Sequence, residues 1–223
     1  MNKSYKYYPM ITGLFAACLI ISNILDTKIF QFFSLDLPGG IILFPIVYIF
    51  ADVLTEVYGY AYSRRVIWTG FGALLLMVFA STIVQHLQPA SFWTLQKEYD
   101  DILGKVPRIV AASISAYFLG EFANSFTLAK LKLQSAGKRM PLRFILSTFV
   151  GQFVDTTVFV LIAFTGLMKT NDLIMITLSA WAFKVGWEVI ALPITLPLVK
   201  KLKKIENEDY FDRDTNFSPF KLS

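Results

Sequence analysis

Runs of roughly 20 or more predominantly apolar residues recur along this whole chain, and no other feature constrains its fold as strongly. They span Pro9–Phe33, Ile41–Tyr60, Val66–Leu87, Pro107–Leu131, Leu142–Leu167 and Leu173–Val199. At about 1.5 Å per residue, a helix of that length crosses a hydrocarbon core of about 30 Å. In lipid the backbone must satisfy its own hydrogen bonds, which favours helix over any open irregular structure. The predicted fold class is an all-α polytopic membrane protein with six transmembrane helices. Residues are 55% hydrophobic and only 17% charged, so little of the chain is left for a soluble domain.

The net charge of +5 invites a nucleic-acid reading, but the basic residues are sorted by side. One side collects Lys3, Lys6, Arg64, Arg65, Lys130, Lys132, Lys138, Arg139, Arg143 and Lys200, Lys201, Lys203 and Lys204. The other holds Lys97, Lys105, Arg108 and Lys169, largely offset by Glu98, Asp100, Asp101 and Asp172. The positive-inside rule then puts both termini in the cytoplasm, and topology accounts for the charge without direct binding of nucleic acid. A lone Cys18 and a lone His86 leave no disulfide and no Cys- or His-based metal site, and no cofactor is expected. The first apolar run is too long for a signal-peptide core and contains Asp26 and Lys28, so no cleavable leader is expected. The chain divides into a six-helix domain, 1–205, and a polar cytoplasmic tail, 206–223. Glu206, Glu208, Asp209, Asp212 and Asp214 should leave that tail solvated and mobile. The segment before the fourth helix, with Phe92, Trp93, Leu95 and Tyr99, is expected at the membrane interface.

Against this apolar background stand polar residues at middle depth. Asp52 and Glu56 lie one helical turn apart on the second helix, with Asp52 about 17 Å from its start. Lys184 and Glu188 repeat that spacing at a similar depth on the sixth. The fourth helix carries Glu121, Asn124 and Ser125, the fifth Gln152, Asp155 and Thr156, and the first Ser22 and Asn23. A carboxylate at membrane depth costs several kcal/mol unless it is paired, protonated or wetted, which makes each a functional candidate. Lys184 between carboxylates is also explained as a lock between the second and sixth helices, but three carboxylates face one ammonium. Ser and Thr side chains often bond their own helix backbone, and Asn23, Asn124 and Gln152 serve equally well as interhelical glue. Lys28 is explained by snorkelling and Arg64 and Arg65 by topology. Together, a ring of Asp, Glu, Asn and Gln suits a neutral or cationic solute with several N–H donors. A purine-like base is one such solute.

The segments DVLTEVYGY at Asp52–Tyr60, GEFANSF at Gly120–Phe126 and GQFVDTTVF at Gly151–Phe159 resemble the queuosine precursor transporter family, also called vitamin uptake transporters. Ser22-Asn23-Ile24 with Lys28, and Lys184 ahead of Pro193 and Pro197, extend the resemblance over all six helices. It implies a six-helix inner-membrane protein importing 7-deazaguanine bases, preQ0 and preQ1 or queuine, for salvage into tRNA queuosine. Some members carry Gln and Asp in the fourth helix where this chain has Glu121 and Asn124. The resemblance implies base recognition by Asp52, Glu56, Asn124, Gln152 and Asp155, with Glu121, Lys184, Glu188 and Asn23 behind them.

No GxxxxGK[ST] loop is present, so uptake is expected to be facilitated or proton-coupled rather than driven by this chain's own ATP hydrolysis. The absence of HExxH, GxSxG or a Cys/His pair speaks against an enzyme. The expected partners are the base and the lipid bilayer, with room for a homodimer. The alternatives are a substrate-binding subunit of a multi-component vitamin importer, an intramembrane enzyme, and a membrane scaffold.

Overall fold

The computed structural model describes residues 5–25, 28–32, 35–103, 107–166 and 169–221. Helix α1 (Tyr8–Leu25) buries Ile11, Phe15, Leu19 and Ser22, three or four residues apart, and leaves Met10, Leu14, Ile21 and Ile24 exposed. Such apolar outward faces recur at Leu76 and Phe79, and at Ile190 and Ile194. In water they would be a liability; in lipid they face their own kind. Four helices, α1, α3 (Tyr60–His86), α6 (Met140–Phe164) and α7 (Thr170–Glu206), are long and apolar enough to cross a membrane. The chain is a multi-pass membrane protein.

The first helix stops at Leu25, well short of the expected Phe33. Strands β1 (Ile29–Phe32) and β2 (Leu35–Pro38) form an antiparallel hairpin there, pairing Ile29 with Pro38 and Phe32 with Leu35. Apolar run length alone does not separate a short strand from the end of a helix. Asp26, expected near this end, lies outside the described residues. The hairpin closes against α1 so tightly that a Cβ at Gly39 would sit 2.4 Å from the Leu25 carbonyl oxygen. Glycine is needed for that approach.

The second apolar run is not one helix. After a 3₁₀ turn (Gly39–Ile42), α2 covers Phe44–Val53, and Leu54–Tyr58 winds as a π-helical turn. Gly59, at φ +87°, then breaks the chain, and α3 starts at once at Tyr60. No loop separates the two, contrary to the gap expected before Val66. Thr55 of the π turn, Ser63 of α3 and Ser125 of α5 (Pro107–Gln134) join in a buried hydroxyl triangle with sides of 2.9 to 3.1 Å. Short α4 (Gln96–Leu103) lies outside the bundle with no buried residue, in the segment expected at the interface.

Helices α5 and α6 approach each other through two glycines. A Cβ at Gly120 would meet the Asp155 Cβ at 2.6 Å, and one at Gly151 would meet the Asn124 Cβ at 2.6 Å. Small residues at a helix interface let backbones close in this way. The contact draws Asn124 and Asp155 into one neighbourhood.

The segment after α7, expected as a solvated tail, exposes Asp214 and half of Asp209 but folds across the basic end of the bundle, where several of its polar groups find partners. Glu206, in the last turn of α7, accepts the backbone N–H groups of Lys6 (3.0 Å) and Tyr7 (2.6 Å), ahead of α1. Asp212 accepts the Tyr60 N–H at 3.0 Å and so caps α3 from far along the sequence. A carboxylate is well suited to those orphan donors at the positive end of a helix dipole. Arg64, buried, donates to the Asn216 and Ser218 carbonyls at 2.7 Å, and Trp68 to the Pro219 carbonyl at 2.8 Å. Acidic composition reads the same whether its groups meet water or buried donors, which is why the sequence pointed to solvent.

Candidate functional site

Four helices bring polar side chains together in the apolar interior. Tyr48 and Asp52 come from α2, Glu121 and Asn124 from α5, Gln152 and Asp155 from α6, and Lys184 and Glu188 from α7. Asp52 and Glu188 are each only 1% exposed, and Glu121, Asn124 and Gln152 are buried as well. Tyr48 donates its hydroxyl to Gln152 Oε1 at 3.2 Å. Lys184 donates to Asp155 Oδ2 at 2.5 Å. The sequence leaves open which carboxylate the lysine meets; it forms an ion pair with α6.

The centre of this cluster is short of donors. Asn124 Nδ2 reaches Asp52 Oδ1 at 3.4 Å, a long hydrogen bond. Asp52 Oδ2, Glu121 Oε2, Asn124 Oδ1 and both carboxyl oxygens of Glu188 are buried without a hydrogen-bond partner. The carboxyl groups of Asp52 and Glu188 face each other with no hydrogen bond between them. Both are acceptors when ionised, so this contact becomes a bond only when one of them carries a proton. Buried acceptors are normally satisfied, and each left open costs on the order of 1–3 kcal/mol. Several such acceptors, from α2, α5 and α7, are left open within this one cluster. The cluster is closed: the cavities of about 310 and 260 Å³ lie elsewhere, beside Phe92 and Trp93 and between Met10, Phe50 and Leu198.

Glu56, expected in this site, belongs to a different network. One further turn along, at the π turn, it is fully buried and surrounded by cations. Arg143 grips it with both terminal nitrogens, Lys203 Nζ stands 2.6 Å from Oε1, and Lys132 Nζ stands 3.9 Å from it. Lys132 also donates to the Glu56 carbonyl at 2.5 Å and the Tyr210 carbonyl at 2.6 Å. The Tyr210 N–H in turn fills the Val57 carbonyl at 3.2 Å. Carbonyls at a helix end carry the negative end of its dipole, so an ammonium there is well placed. Asp209 completes the network at 2.6 Å from Lys132 and 2.8 Å from Lys203. Its partial burial raises its pKa, but the two lysines more than offset this and hold it below the usual carboxylate range. Asn23 is also elsewhere: its Nδ2 bonds the Leu19 carbonyl of its own helix at 2.9 Å. Reading from the sequence missed Tyr48 as a partner of Gln152. It also took Arg143, Lys132 and Lys203 for topology markers; the only hint otherwise was that Glu56 needed a cation.

A family model described as "Putative vitamin uptake transporter" matches residues 38–198. The chain belongs to this family. Every residue of the donor-poor cluster falls inside the matched span, whereas Lys203, Glu206, Asp209 and Asp212 fall beyond it. As a member of the vitamin uptake transporter family, the chain is a membrane transporter rather than an enzyme. A protein of Bacillus subtilis (strain 168) named "Probable queuosine precursor transporter" is 27% identical over 188 residues, which cover 84% of this chain and 82% of that protein. No solved structure matches the chain.

Proposed function

We propose that this protein imports 7-deazaguanine precursors of queuosine across the cytoplasmic membrane, with the Asp52–Glu121–Asn124–Gln152–Asp155–Glu188 cluster as its base-recognition site. The observation that carries this reading is the set of buried acceptors lacking donors. A 7-deazaguanine offers ring N–H groups and an exocyclic amine, which are donors of the kind the cluster lacks. The printed name of the Bacillus relative supports the same substrate class. In this reading Gly39–Tyr58 forms a further span of roughly 30 Å and α5 another, making six, with the basic end of the bundle in the cytoplasm. The closed cluster corresponds to an occluded state between outward and inward access. Glu56 then acts as structural support and Lys184–Asp155 as a flank of the site.

The test is the queuosine content of tRNA in a precursor-auxotrophic host, with and without this chain, fed preQ0, preQ1 or queuine separately. Queuosine should rise only when the chain is expressed. No rise with any base would remove the proposed function.

A further inference from the structure

We propose that the Asp52–Glu188 pair receives a protonated amine, so that this chain prefers a 7-deazaguanine with a cationic side arm to one with a neutral arm. The inference rests on the function proposed above and concerns which members of that substrate class the site takes.

The argument comes from comparing two acids on one short stretch. Glu56 shows what this protein does with a buried carboxylate that it balances itself: three cations converge on it from α5, α6 and α7. One turn earlier, Asp52 meets none. The groups that face it are Glu188, Asn124 and Glu121. Among the described residues no ammonium or guanidinium bonds Asp52 or Glu188, and Lys184, the cation at this level, is bound to Asp155. Four carboxylates, Asp52, Glu121, Asp155 and Glu188, thus stand against one ammonium. Two charges brought together out of water are tolerated when each finds an opposite charge and further hydrogen bonds.

Asn124 adds an independent pointer. Its amide N–H is turned to Asp52, which leaves Oδ1 of the same amide buried and without a hydrogen-bond partner. A carbonyl oxygen beside two carboxylates completes an acceptor set for a primary ammonium, which has three N–H donors and one positive charge. A nitrile arm supplies neither; it is a further acceptor facing acceptors. The base itself can satisfy Glu121 and Gln152 in either case, so the arm decides the difference. The preference is therefore one of charge, and it is carried by Asp52 and Glu188.

The experiment uses the purified full chain in liposomes and labelled preQ1, whose arm is an aminomethyl group, with preQ0, whose arm is a nitrile, as competitor and as separate substrate. The native protein should favour preQ1 by about tenfold or more, the equivalent of one well-made charge contact. Asp52→Asn and Glu188→Gln should lower uptake of both bases, that of preQ1 by about tenfold more, so that the preference collapses. Equal competition by the two bases in the native protein overturns the proposal without reference to any variant. So does a proportional loss of both bases in both variants. Uptake of neither base by the native protein overturns the transport reading on which the proposal stands.

Discussion

Replacing Glu56 with Gln tests whether its network holds the basic end of the bundle together. The change keeps the size of the side chain and removes its charge. Lys132 retains Asp209 at 2.6 Å and two carbonyl acceptors, and Lys203 retains Asp209 at 2.8 Å. Arg143 keeps one amide oxygen and the carbonyls of Gly137 (3.2 Å) and Lys138 (3.0 Å) but loses its counter-charge, with a side chain 3% exposed. The penalty therefore concentrates on a buried guanidinium. Breaking a buried pair from one side typically costs about 3–5 kcal/mol, and the surviving partners place this case near the lower end. For a chain of this length about 3 kcal/mol corresponds to a drop in Tm of roughly 6–12 °C. Thermal unfolding in detergent, followed by near-ultraviolet circular dichroism, measures it. A double-mutant cycle with Arg143→Gln isolates the pair, and the double variant should lose about 2 kcal/mol less than the sum of the single losses. A Tm shift under about 2 °C for Glu56→Gln, or strict additivity in the cycle, would refute the assignment.

Asp52→Asn should behave in the opposite sense, raising Tm by a few degrees while uptake falls, because it removes an acid that the fold leaves unbalanced; unfolding and liposome uptake on one preparation check both. Gly151→Ala introduces a Cβ 2.6 Å from the Asn124 Cβ, so it should cost about 1–3 kcal/mol and impair uptake by prying α5 from α6. Asp212→Asn should cost about 1 kcal/mol through the weakened α3 cap and speed proteolysis between Asn207 and Phe220. The Asp209 pKa is depressed, so its contribution is present above the unfolded value near 3.9 and lost as pH falls through the lower folded value. Protection of the tail from protease should accordingly hold from about pH 8 down to about pH 5 and fail only in stronger acid.

The polar cluster was legible because charge inside an apolar run has few bland explanations. Asp52, Glu121, Asp155, Lys184 and Glu188 are conspicuous against Leu, Ile and Phe, and the same reasoning carried Asn124 and Gln152. Which charges would pair was not legible. Asp52 and Glu56 share a spacing with Lys184 and Glu188, yet Lys184 takes Asp155 and Glu56 takes Arg143. That choice depends on the rotation of each helix in the bundle, which no periodicity within one helix contains. The π turn at Leu54–Tyr58 leaves no mark in composition, since its residues are ordinary helix and strand formers. The first strand of the hairpin, Ile29–Phe32, hid in the end of the first apolar run, and the second, Leu35–Pro38, lay just beyond it. The tail misled for a third reason: Asp209 and Asp212 meet partners far back along the chain, Lys132 and the Tyr60 N–H, and sequence shows only that they are polar.

The capping of α1 by Glu206 and of α3 by Asp212 sets an order on how the molecule is made. Both helices enter the membrane early in synthesis with their first N–H groups unfilled, and the carboxylates that fill them do not exist until α7 has been translated. The basic end of the bundle is thus closed last, by residues that no earlier intermediate possesses. A ribosome stalled just beyond α7 would carry every apolar helix, and Glu206 with them, and still lack Asp212, the half of the clasp that closes on α3.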